Sequence, residues 1–135
     1  MRQNFEPYVK FMIWKLEGGD KVHTVKGDPG GTTKYGFAQK FHDCDVTKLR
    51  EEDAIYMYLH DYWLPNGCDE LPWPNDILVF DTAVNQSATF AKKIATWDWR
   101  DIMLARLERY FNKSNPKFFR GLANRLLQIH RWICE

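Results

Sequence analysis

The chain is short of the side chains on which most hydrolases and metal enzymes depend. It has two serines, Ser87 and Ser114, and neither lies in a GxSxG turn, so a serine-hydrolase elbow is excluded. Its three cysteines, Cys44, Cys68 and Cys134, are odd in number and lack a CxxC spacing. A disulfide framework or a zinc site is therefore not expected, while a single disulfide stays open. Cys44 lies two residues from His42, but such proximity alone seldom marks a thiol nucleophile. His23, His42, His60 and His130 are scattered, and HExxH, P-loop and GxGxxG patterns are missing. No metal and no cofactor are expected. The first residues contain no apolar leader, and no apolar run is long enough to cross a bilayer. Synthesis in a cytosol is expected, with neither signal peptide nor stable membrane insertion, and release by another protein if the chain acts outside.

What is present fits one compact domain over 1–135. A chain of 135 residues, 44% hydrophobic and 27% charged, can bury a substantial core. Aromatic residues reach 16%, enough to furnish both a core and a cleft that stacks on flat rings, such as a sugar-binding groove. The net charge of +1 is unevenly spread: residues 1–90 carry −5 and residues 91–135 carry +6. A basic C-terminal part, about 88–135, would attract polyanions such as nucleic acid, anionic lipid or cell wall. Its cations are dispersed, which also fits a solvated helix face.

Apolar spacing predicts a mainly α fold with a small β or loop wing at about residues 20–36. Phe5, Tyr8, Val9, Met12, Ile13 and Leu16 mark a first helix, with Asn4 as N-cap and Gly18-Gly19 as stop. Weak alternation around Asp28-Pro29-Gly30-Gly31 suggests a hairpin, with a short helix over 37–41. A second helix, capped by Thr47, carries Leu49, Ile55, Tyr58, Leu59 and Tyr62 and ends before Pro65. Residues 76–85 read as a helix, and the remainder is helical, broken at 112–116. Ile102, Leu104, Ala105 and Tyr110 are the apolar residues that mark one of these helices.

Glu17 follows the first helix directly and precedes two glycines. Exposed carbonyls at a helix C-terminus disfavour a carboxylate, and apolar neighbours desolvate it, so both effects would favour the protonated form. A protonated carboxyl is what a general acid needs, and the glycines leave room for a bulky substrate. Position alone favours the plainer reading, a solvated helix end. The DPGG turn could bring Asp28 and Thr33 towards Glu17, although Asp28 could instead bond its own backbone.

The ordered set LEGG (16–19), DPGGTTKYGF (28–37), VTKLREEDAIYMYLHDYW (46–63), VFDTAVNQS (79–87) and YFNKSNPKFFRGLANR (110–125) resembles glycoside hydrolase family 108, bacterial and phage N-acetylmuramidases. The resemblance implies a lysozyme-like α+β fold. It also implies cleavage of the β-1,4 bond between N-acetylmuramic acid and N-acetylglucosamine in peptidoglycan. It places the catalytic acid on Glu17, with supporting roles for Asp28 and Thr33. Residues 87–108 depart from the family's usual wall-binding stretch, so the basic C-terminal part, with Lys113, Lys117, Arg120, Arg125 and Arg131, is expected to attract the anionic wall by charge. Tyr35, Trp63 and Asn85 are candidate substrate-binding residues: the two rings for stacking on sugars, the amide for an N-acetyl group. Core packing and helix capping are their ordinary alternatives, and Asp81 is expected to be a buried structural acceptor. The expected enzyme is a monomeric phage endolysin with bacterial peptidoglycan, not nucleic acid, as its partner. Its rivals are a lytic transglycosylase using the same glutamate and a non-catalytic wall-binding or virion module.

Overall fold

A computed structural model describes residues 1–24 and 31–135. It divides into two compact units, residues 2–64 and residues 65–135 together with Met1. The architecture is mainly helical with one small antiparallel sheet.

The first unit starts with a 3-10 turn, Arg2–Asn4, that runs into α1 (Phe5–Phe11). Asn4 occupies the junction with helical backbone angles and makes no capping bond, because winding has already begun at Arg2. Phe5, Tyr8, Val9, Met12 and Ile13 form the buried stripe read from their spacing. At Met12–Leu16 the helix widens into a π-turn. The sheet consists of β1 (His23–Thr24), β2 (Thr32–Lys34) and β3 (Phe37–Ala38), with β2 in the centre. The helix expected over 37–41 is thus a strand followed by a 3-10 turn at Gln39–Phe41. A two-residue loop joins Lys34 to its partner Phe37, and both loop residues have positive φ, Tyr35 at 54° and Gly36 at 87°. That is the mirror-image turn whose twist suits a tight hairpin.

Thr47 does not cap the next helix, as it lies inside a separate 3-10 turn, Val46–Lys48, where Asp45 accepts its backbone N–H at 3.0 Å. The helix α2 (Glu51–Tyr58) starts after Arg50, whose N–H donates to Asp53 Oδ2 at 2.9 Å. It ends in a second π-turn, Leu59–Trp63. Trp63 meets Phe5 edge-on at 5.2 Å.

In the second unit α3 (Asn75–Asn85) is buried at every position from Asn75 to Ala83. Its first side chain donates to the carbonyls of Ala95 and Trp97, each at 2.8 Å, which ties it to the connection between α4 (Ala88–Ile94) and α5 (Trp99–Lys113). Ser87 caps α4 by accepting from Phe90 N–H, and Asp98 caps α5 by accepting from Arg100 N–H. The expected break follows, with a 3-10 turn at Pro116–Phe118, before α6 (Phe119–Cys134). The inward face of α5 is Ile102, Arg106 and Tyr110, while Leu104 is 65% exposed and does not belong to it.

Charge is the reason. Asp81 of α3 is fully buried and accepts from Arg106 Nη2 at 2.8 Å, and from Arg125 Nε at 3.1 Å and Nη2 at 2.8 Å. Arg106 also donates through Nε to Gln86 at 3.0 Å and through Nη2 to the Tyr110 hydroxyl. Asp81 is therefore the buried acceptor expected of it. Arg125, grouped by sequence with wall-facing cations, is instead buried against it. All three cysteines are free thiols, Cys68 buried and the other two exposed. No described helix is long and apolar enough to cross a membrane.

Candidate active site

Glu17 sits where α1 ends, and the π-turn determines how it is presented. Its N–H reaches five residues back to the Met12 carbonyl at 2.9 Å, and Gly19 N–H reaches the Ile13 carbonyl at 2.8 Å. Its own backbone, φ −109° and ψ 8°, lies in the sparsely occupied bridge region in which many active-site residues are found. Widened turns of this kind recur at functional sites. Gly18 and Gly19 follow with φ of 85° and 65°, angles that other residues adopt only under strain. Gly19 also needs its missing side chain, because a Cβ there would lie 2.7 Å from the Trp14 ring.

The carboxylate faces the hairpin turn. A Cβ on Gly36 would lie 3.0 Å from Glu17 Oε2 and would overlap the Tyr58 hydroxyl, so carboxylate and phenol converge on the turn's one bare α-carbon. Tyr58 donates to the Tyr35 carbonyl at 2.6 Å and its ring lies 4.4 Å from that of Phe37, pinning the turn to α2. Burial, together with the charges of Asp61 and Glu17, pushes the Tyr62 hydroxyl pKa up, which places this phenol within electrostatic reach of Glu17.

Thr33 approaches from the sheet. It pairs with His23 on β1 and with Ala38 on β3, and directly opposed residues share a sheet face. His23 Nε2 in turn lies 3.1 Å from where a Gly18 Cβ would be, so this face borders the residue after Glu17. Asp28 lies outside the described residues.

The remaining candidates are placed differently. Tyr35 is 6% exposed; it offers the site a backbone carbonyl, with its ring edge-on to Trp14 at 6.4 Å. Trp63 is fully buried against Phe5 and has no free face for a sugar. Asn85 belongs to the second unit, where its Oδ1 accepts from the Tyr110 hydroxyl. Reasoning from the residues missed Trp14, Gly36 and Tyr58. For Trp14 the signal was available: it lies off the buried stripe three residues before Glu17, and it is 45% exposed. Among the described residues no group of three or more His, Cys, Asp or Glu could hold a metal ion.

No curated protein and no solved structure matches the chain. The family model described as glycosyl hydrolase 108 matches residues 11–86, a span that starts within α1, contains Glu17 and the whole sheet, and ends just after α3. With more than half of its length matched, including every residue gathered around Glu17, the chain belongs to glycosyl hydrolase family 108 and is a glycosidase by class.

Proposed function

We propose that this glycosidase is an N-acetylmuramidase, acting as one domain over 1–135 and cleaving the β-1,4 bond between N-acetylmuramic acid and N-acetylglucosamine in peptidoglycan. Glu17 protonates the leaving oxygen. Asp28 stabilises the oxocarbenium-like transition state or assists the attacking water, and Thr33 positions that water. Trp14, the exposed ring beside the site, offers a sugar the stacking face that Trp63 lacks. The biological setting we infer is a phage endolysin that opens the host wall.

The observation that carries this reading is the placement of Glu17, held by a widened helix end against a side-chain-free turn, within the span matched to the family. General acids typically contribute a factor of about 10² to 10⁴. Glu17→Gln keeps the size of the side chain and removes the proton, so it should lower wall lysis by at least about a hundredfold with an unchanged circular dichroism spectrum. Undiminished lysis by the folded variant would refute the assignment. Mass spectrometry of digested wall tests the reaction itself. Hydrolysis adds one water per cleaved bond, whereas a lytic transglycosylase using the same glutamate yields anhydro products without that mass.

A further inference from the structure

The α5–α6 turn carries a surface that the site around Glu17 does not use. From Arg109 to Cys134 the chain has no acidic residue and six cations, and among the described residues Arg125 alone of these six is paired with a carboxylate, that of Asp81. On this stretch Phe111 is 74% exposed, Phe118 56% and Leu127 63%. Phe111 continues an exposed stripe on α5 with Leu104 and Leu107, at helical spacing, and it meets Phe119 of α6 edge-on at 5.9 Å. Lys117 Nζ lies 5.5 Å from the Phe118 ring centre, and Lys113 and Arg120 are exposed on either side.

These large exposed apolar groups are a costly surface in water, and the charge around them is net positive although Glu108 lies beside Leu107 on α5. The charge selects an anionic partner. An anionic polymer needs only the cations and would leave the phenylalanines and leucines wet. Aliphatic Leu104, Leu107 and Leu127 also offer no flat face to a base or a sugar. At an anionic bilayer the rings and leucines enter the headgroup boundary, while lysine and arginine stems reach up to the phosphates. No described helix can span a bilayer, so the contact is superficial.

We propose that the α5–α6 turn, through Phe111, Phe118 and Leu127 with Lys113, Lys117 and Arg120, docks the protein on the surface of an anionic phospholipid membrane. This inference does not depend on the reaction assigned to Glu17.

The test is flotation of the full chain with vesicles of phosphatidylcholine alone and of phosphatidylcholine with an equal part of phosphatidylglycerol, at two salt concentrations. The wild type should bind the anionic vesicles, and less so at high salt. Each basic residue near such a surface contributes enough that Lys113→Gln, Lys117→Gln and Arg120→Gln together should weaken binding about a hundredfold. Phe111→Ser with Phe118→Ser changes no charge and should weaken it about tenfold. Both sets lie on the surface, and folding is checked by thermal denaturation. Equal binding to both vesicle types overturns the proposal, as does full binding by the phenylalanine pair. Sedimentation as a dimer that the phenylalanine pair dissociates would assign the patch to a second copy and overturn it. So would preferential capture by isolated wall or a single-stranded oligonucleotide, lost in the same variants.

Discussion

Cys68 opens a 3-10 turn in the second unit and is fully buried. Burial, with Asp76 adding to it, pushes its thiol from the ordinary 9.0 up to about 12. In the unfolded chain the thiol loses its proton near pH 9, while in the folded chain it keeps it until about pH 12. The folded state therefore binds more protons in that interval, and stability falls as pH rises through it. This contribution is intact below pH 9 and is lost towards pH 12. The stability advantage of wild type over Cys68→Ala should therefore shrink by about 2 kcal/mol between pH 8 and pH 10.5 in urea unfolding. A constant difference would show that the thiol titrates alike in both states. At pH 8 the exposed Cys44 and Cys134 should react with a thiol reagent in the native protein, and Cys68 only on unfolding.

At the scale of elements, the hairpin turn Tyr35-Gly36 is the piece on which the site's geometry depends. Gly67 and Gly36 both have positive φ, 69° and 87°, but a Cβ on Gly67 meets nothing within 4 Å. Gly67→Ala therefore measures the backbone cost alone, about 1 kcal/mol. Gly36→Ala adds a clash with Tyr58 and a 3.0 Å approach to Glu17, so it should cost about 2–4 kcal/mol. It should also reduce wall lysis at temperatures where the variant is folded. Retained activity in Gly36→Ala would mean that the turn does not hold the carboxylate. Little of this was legible in the chain. Glu17 stood out through the ordered set of motifs it belongs to, since its position before two glycines alone favoured a solvated helix end, and α1 and α3 were readable from apolar period. The turn was not, because a tyrosine at positive φ gives no compositional sign and is held by Tyr58, 23 residues away. Trp14 was legible by contrast, since it lies off the apolar stripe of α1 three residues before Glu17.

Across the molecule the limits of apolar spacing are clearest in the second unit, where ion pairing overrides it. Leu104 faces water and Arg106 faces inward because Asp81, on a different helix, supplies the charge that makes a buried guanidinium tolerable. One carboxylate there serves two guanidinium groups from α5 and α6, and Arg106 Nη1 is buried with no hydrogen-bond partner among the described residues. Asp81→Asn preserves shape and removes the carboxylate that pairs with Arg106 of α5 and Arg125 of α6. It leaves two arginines without an ionic partner at Asp81, and breaking a buried pair from one side costs about 3–5 kcal/mol. Urea unfolding should register a loss of that size, greater than for Arg125→Met, which removes one of the two cations and leaves Asp81 paired with Arg106. If Asp81→Asn costs less than Arg125→Met, the carboxylate does not organise the three helices, and the stability of this unit resides in its apolar contacts.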